Sequence, residues 1–247
     1  MISVCMATYN GEKYLKQQID SIINQLGNND ELIISDDSST DCTTDLINQI
    51  NDSRIKLFIH VPSFPEKKKL FDLHTVNHYI SFNFLNAIDK ANGDYIFLSD
   101  QDDIWYPNKI KKSIEALKNC DMAISNFSII DQNDQILIEK YRKRKPFIDN
   151  YIISALRPGY TGCAMAFKRE ILNYVLPFPK DISCGHDNWF GICVTKFGKI
   201  LYLDEPLFYH RIHSNNNSGL CKESPNNIAQ KISLRICLLF NILLRRK

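Results

Sequence analysis

The constraint that most limits this fold is a regular alternation of short apolar runs and amphipathic segments through the first 120 residues. Residues 2–7, 32–34, 55–59 and 95–98 read as strands, each followed by polar turn residues. Between them, residues 12–24 carry Tyr14, Leu15, Gln18, Ile19, Ile22 and Ile23 at helical spacing. Further helices are predicted up to about Ile50 and over residues 80–90, the latter closed by Asn92-Gly93. Strands that alternate with helices predict an α/β class, with a mostly parallel central sheet and helices on both faces. Ligands of such sheets bind beyond the carboxyl ends of the strands. The residues just after each strand therefore matter, and Thr8-Tyr9-Asn10, Asp36-Asp37 and Asp100–Asp102 are expected on one rim.

The run Ser99-Asp100-Gln101-Asp102-Asp103-Ile104-Trp105 puts three carboxylates within four positions directly after an apolar strand. Like charges so close raise one another's pKa unless a cation sits between them. A divalent ion carrying phosphates suits such a site, because hard ions take oxygen ligands and often use only one or two carboxylates. A solvated acidic turn capping the helix near Pro107 is the alternative. Asp100 and Asp102 straddle one residue, so on extended chain both point the same way. One can reach a ribose and the other, Asp102, a metal. Asp36 and Asp37 can accept hydrogen bonds from a pyrimidine and ribose hydroxyls, while Tyr9 can flank the base. No GxGxxG and no Walker-type glycine-lysine loop follows the first strand, which disfavours a dehydrogenase or P-loop enzyme. A further acid, Asp187, sits in Gly185-His186-Asp187-Asn188-Trp189 where a helix is predicted to start. It is either a helix N-cap or a general base for an acceptor hydroxyl.

The second half is less regular. Strands are expected over 122–130, 136–138, 164–167, 200–203 and 207–209, with helices over 169–175 and 187–197. Residues 60–76 read as a long loop. Five of the six residues from Lys140 to Lys145 are basic, either a solvated loop or an attractor of phosphate-bearing acceptors or anionic membrane. The net charge of +2 supplies no general field for nucleic acid, and no nucleic-acid partner is expected. The eight cysteines form no CxxC pair or zinc spacing, which favours a reducing, cytoplasmic setting. No signal peptide or bilayer-spanning run is visible. The tail from about Asn227 to Lys247 carries Ile228, Ile232, Ile236, Leu239 and Leu243 at helical spacing and ends in Arg245-Arg246-Lys247. It is expected to pack on the domain or a partner, or to lie peripherally in a membrane interface.

Together, Ala7-Thr8-Tyr9-Asn10-Gly11, Ser35-Asp36-Asp37-Ser38-Ser39-Thr40-Asp41 and the acidic run at 99–105 resemble, in order and spacing, the family-two inverting glycosyltransferases. The resemblance covers about residues 1–215 and implies an A-type, Rossmann-like fold. A nucleotide-sugar half (1–120) would precede an acceptor half (121–215), with 216–247 as a helical tail. It further implies that Thr8, Tyr9, Asp36 or Asp37 and Asp100 bind the donor and that Asp102 binds Mn2+ or Mg2+. Asp187, in a His-Asp pair, would be the general base. Gly162, His186 and Trp189 would shape the acceptor side, and Arg211 and His213 would lie in a loop closing over the diphosphate. The Asp-Gln-Asp-Asp-Ile-Trp form is similar to a bacterial rhamnosyltransferase-like branch. That branch implies a dTDP-rhamnose or UDP-sugar donor and a saccharide acceptor, lipid-linked, in capsule or O-antigen polysaccharide synthesis. The rival readings are a non-catalytic nucleotide-sugar-binding module and a nucleotidyltransferase. The latter would normally carry a glycine-rich basic loop after the first strand.

Overall fold

The computed structural model of the chain describes residues 1–61, 75–143, 145, 148–179, 185–213 and 228–247. The first strand, β1 (Ile2–Thr8), leads to α1 (Leu15–Ile23), β2 (Glu31–Asp36), α2 (Thr43–Gln49) and β3 (Ile55–Ile59). Then come α3 (Thr75–Lys90), β4 (Tyr95–Ser99), β5 (Ile104–Trp105), α4 (Lys109–Leu117), β6 (Met122–Ile130) and β7 (Ile136–Ile138). The chain continues through α5 (Tyr151–Leu156), β8 (Met165–Lys168), α6 (Leu172–Val175), α7 (His186–Phe197), β9 (Ile200–Arg211) and α8 (Ile228–Leu244).

Among the described residues these strands form one sheet in the order β3-β2-β1-β4-β8-β6-β9-β5, with β7 paired to β6. The first four strands are mutually parallel. Strand β8 runs antiparallel between β4 and β6, and β9 lies parallel to β6. The carboxyl ends of β1, β2, β4, β6 and β9 therefore share one edge. Register fixes their alignment: Thr8 lies opposite Asp36, Met6 opposite Ser99, and Ile130 opposite Arg211. Apolar strands such as Leu32–Ile34, Ile96–Leu98 and Met122–Ile124 are buried between the helix layers, as expected of a sheet covered on both faces.

Several boundaries differ from the sequence expectation. The stretch predicted as two strands over 200–209 is a single strand, β9. Register shifts against β6 around Asn126, opposite Pro206, let it continue past a residue that has no N–H to give. Helix α3 begins at Thr75, inside the predicted loop; residues 62–74 of that loop lie outside the described residues. Helix α5 was not predicted. It is a short helix whose N-terminus is capped by Asn150, the side chain of which accepts from the N–H groups of Ile152 and Ile153. The tail forms α8, which lies against α5 and α7 and buries Leu238 and Ile242; residues 214–227 lie outside the described residues. No helix among the described residues is long and apolar enough to cross a membrane.

Candidate active site

The two loops after β1 and β2 turn through non-glycine residues at positive φ, Asn10 (48°) and Ser38 (57°). This conformation is uncommon and tends to persist where surrounding bonds fix it. The fixing bonds are present. Asn10 accepts at Oδ1 from the Thr40 N–H (2.8 Å), and its own N–H donates to Ser39 Oγ (2.8 Å). Tyr9, directly after β1, is 55% exposed. Its backbone is clamped in both directions by the Gln101 amide, at 2.9 and 3.1 Å. Gln101 thus ties the acidic turn to the first loop.

Asp36 is fully buried. Its carboxylate accepts from Thr8 Oγ1 (2.8 Å), the Ser39 N–H (2.7 Å) and Ser39 Oγ (2.6 Å). Asp37 is the acid left at the edge, its carboxylate 2.5 Å from His60 Nδ1. Burial raises the Asp37 pKa, helped by the Asp36 charge and opposed by His60. Replacing Asp36 with Ala takes the carboxylate acceptor from the buried Thr8 hydroxyl and from the half-buried Ser39 N–H and hydroxyl. We expect a stability loss of about 2–3 kcal/mol, read as a lower urea midpoint.

The acidic turn is held from several sides. Gln18 of α1 donates to Ser99 Oγ (2.7 Å) and to the Asp100 carbonyl (3.3 Å). Asp103 is fully buried against His210 Nδ1 (2.9 Å). Burial alone would discharge His210, but the Asp103 charge and hydrogen bond, with Asp100 and Asp102, outweigh it and lift its pKa to about 9. Beneath them Lys109, also fully buried, gives its ammonium to the Cys163 carbonyl (2.7 Å) between the Trp105 and Phe208 rings. Burial lowers its pKa to about 8. Two buried cations therefore face the acids from within the fold. Asp100 is pushed up to about 7 by burial and by the charges of Asp103 and Asp102. At the mouth, Asp102 Oδ2 meets His213 Nε2 at 2.9 Å.

The opposing acid stands at the start of α7. Asp187 is half-buried, and the Asn188 N–H and side-chain amide both donate to its Oδ1 (2.7 and 3.2 Å). Burial pushes its pKa up to about 6, against those backbone hydrogen bonds. One short segment connects it to the acidic turn. A Cβ built on Gly162 would come within 3.6 Å of Asp187 Cβ and 2.9 Å of His186 Nε2, while the next residue, Cys163, clusters its Sγ with Asp100. A side chain there would have to shift the buried His186 ring, whereas Asp187 lies at ordinary contact distance.

Residues 3–176 match the family described as Glycosyl transferase family 2. The chain is 33% identical over 226 residues to dTDP-rhamnosyl transferase RfbG of Shigella flexneri, covering 87% of this chain and 73% of that protein. The chain belongs to glycosyl transferase family 2. Two solved structures share its fold. S. aureus TarS 1–349 in complex with UDP-GlcNAc superimposes with a TM-score of 0.71 at 16% identity, over 97% of this chain and 66% of that one. Mannosyltransferase PcManGT from Pyrobaculum calidifontis, in complex with GDP-Man and Mn2+, gives 0.60 at 15% identity, over 87% and 58%. The chain spans 66% of one curated relative and 73% of another.

In this family 2 chain, the rim brings together Tyr9, Asp37, Asp100, Asp102 and His213, with Gly162 and Asp187 on the far side. Five residues expected to face ligands do not, Thr8 among them, since its buried hydroxyl donates to Asp36. Asp36 is consumed by the turn it holds. Arg211 is buried, its guanidinium divided among the Asp102 carbonyl (2.9 Å), Asp131 O, Gln17 Oε1 and the Asp134 carboxylate. It braces the acidic turn instead of reaching for a diphosphate. Trp189 is fully buried and donates its indole N–H to the Val175 carbonyl (2.7 Å), so it supports the core beneath the site. His186 is also buried, its ring against Phe84, and burial lowers its pKa to about 3. It is a neutral wall under Gly162. Gln101, Lys109 and His60 were not singled out from the sequence. Only the Asp37-facing position of His60, immediately after a strand, could have pointed to it.

Among the described residues, two groups could hold a cation. Asp100, Asp103, Cys163 and His210 bring their ligand atoms within 4.8 Å of one another. That donor set suits a hard divalent ion poorly, since burial keeps the Cys163 thiol protonated and His210 carries a proton. The Asp102–His213 pair offers a carboxylate oxygen and an imidazole nitrogen at the half-buried mouth, a more open donor set in which the carboxylate suits Mn2+.

Proposed function

We propose that this chain is an inverting, metal-dependent glycosyltransferase that moves a sugar from a nucleoside-diphosphate donor to a saccharide hydroxyl. The observation that carries this reading is the Gly162–Cys163 segment, which sets an ionisable carboxylate, Asp187, across from the acidic turn at the sheet rim. In the reaction, Tyr9 flanks the base, Asp37 accepts its hydrogen bonds, and Asp100 receives the ribose or sugar hydroxyls. Asp102 and His213 would hold a divalent ion, which when bound neutralises the departing diphosphate as a Lewis acid. Asp187 takes the acceptor's proton as that oxygen attacks the anomeric carbon opposite the diphosphate, so the configuration inverts. Likeness to RfbG favours dTDP-rhamnose as donor, with a UDP-sugar next because TarS binds UDP-GlcNAc. The acceptor class we favour is a lipid-linked saccharide of a capsule or O-antigen, handled on the cytoplasmic side.

Incubating the purified chain with a panel of nucleotide sugars and Mn2+, and measuring nucleoside-diphosphate release, tests this directly. Turnover of one donor supports transfer. Binding without release from any donor would instead mark a non-catalytic module.

Because Asp187 must be ionised to act, kcat/KM should fall as the pH drops through about 6, after a shallower decline that begins near 7 as Asp100 takes up its proton. Below pH 6 it should fall by about ten-fold or more per pH unit. A pH–rate profile that stays level down to pH 4.5 would remove Asp187 from the role.

A further inference from the structure

The face of α8 turned away from the fold is apolar. Ile232, Ile236, Phe240 and Leu243 succeed one another at helical spacing and are all exposed, Ile236 and Phe240 by 60% and 61%. The opposite face is anchored. Leu238 and Ile242 are buried, and the Lys196 ammonium of α7 caps the Ile242 and Arg245 carbonyls at 2.7 and 2.8 Å. The stripe is therefore held outward by the fold. Helix α5, lying against α8, adds exposed Ile152 and Leu156.

Charge identifies what this surface fits. Residues 228–247 contain Lys231, Arg235, Arg245, Arg246 and Lys247 and no acidic residue. Arg235, three positions beyond Ile232, is exposed, and so is Arg246, two positions past the end of the helix. A protein partner with an apolar groove would not require an acid-free helix. An anionic lipid surface does, because cations sit among the headgroups while the apolar stripe enters the acyl boundary. No helix among the described residues spans a bilayer, so the contact is peripheral. We propose that α8, with α5 beside it, docks this chain on an anionic membrane. Because α8 is fixed to α7, whose first turn carries Asp187, docking sets the acceptor side of the rim at a fixed position relative to the headgroups. The surface itself does not depend on the transfer reading.

Flotation of the full chain with phosphatidylcholine vesicles, with or without roughly one third phosphatidylglycerol, tests the proposal. The chain should float with the anionic vesicles and be largely released at about 0.5 M salt, where charges are screened within a few ångströms. Ile236→Asp with Phe240→Asp, both at exposed positions, should lower partitioning at least ~10-fold with an unchanged circular dichroism spectrum. Arg235→Glu with Arg246→Glu should lower it roughly five-fold per lost cation on anionic vesicles only. A wild-type chain that stays in the dense fraction, or variants that float equally well, would overturn the proposal. So would a vesicle-free dimer dispersed by Ile236→Asp/Phe240→Asp, which would assign the face to a second copy. Donor turnover measured without vesicles reads the transfer reaction separately.

Discussion

Asp187→Asn should abolish sugar transfer, with kcat reduced by about 10³-fold or more, while the fold and donor binding persist. The substitution keeps volume and shape. The Asn188 N–H that now donates to Asp187 Oδ1 at 2.7 Å can donate equally to the carbonyl of an asparagine, so the first turn of α7 stays in place. The loss is one of basicity. A carboxylate raised to about 6 by burial accepts a proton readily from a hydroxyl that becomes acidic as it bonds to the anomeric carbon. An amide accepts none. Steady-state kinetics alongside donor titration check both halves of the expectation, since the loss should fall on kcat and leave donor affinity within about two-fold. Near-wild-type turnover would contradict the assignment.

Asp102→Asn should lower kcat/KM by about 10²–10³-fold, and the loss should fall on donor binding as well as on kcat. Asp102 meets His213 at the mouth of the rim, where the charge of a diphosphate arrives. An amide keeps the size of the side chain but removes the formal charge that would hold a divalent ion. His213→Ala removes the second ligand while leaving the carboxylate, so it should weaken the response to Mn2+ by less. The fold should tolerate both changes. The turn is braced through main-chain atoms, by Arg211 on the Asp102 carbonyl and Gln18 on the Asp100 carbonyl. Titrating Mn2+ against turnover separates the effects, because a ligand loss moves the metal midpoint and a base loss does not.

The alternation of apolar runs and helical stripes was legible because backbone hydrogen bonding forces each period onto one element type. The common rim was legible with it, since parallel strands align their carboxyl ends. Which acid of each pair faces outward was not legible. Asp36 and Asp37 are chemically alike, and only the inward turn of Thr8 and Ser39 consumes the first. Arg211 and Trp189 were misplaced for the same reason. A cation in a late loop suggests a phosphate contact, yet here Asp131, Asp134 and Gln17, brought together by the sheet, take up its guanidinium. Lys109 carries no local signal that sets it apart from the neighbouring lysines. The structure sandwiches it between two rings beneath the acids, a long-range arrangement that no local pattern encodes.

The proposed reaction joins an Asp102-centred metal site to an Asp187 base on one rim. Calorimetric titration of a nucleoside diphosphate, with and without Mn2+, into the wild type and the two asparagine variants tests it most directly. Binding should depend on Mn2+, and Asp102→Asn should lose that dependence while Asp187→Asn retains it. Binding that ignores Mn2+, or that is lost in Asp187→Asn and kept in Asp102→Asn, would contradict it.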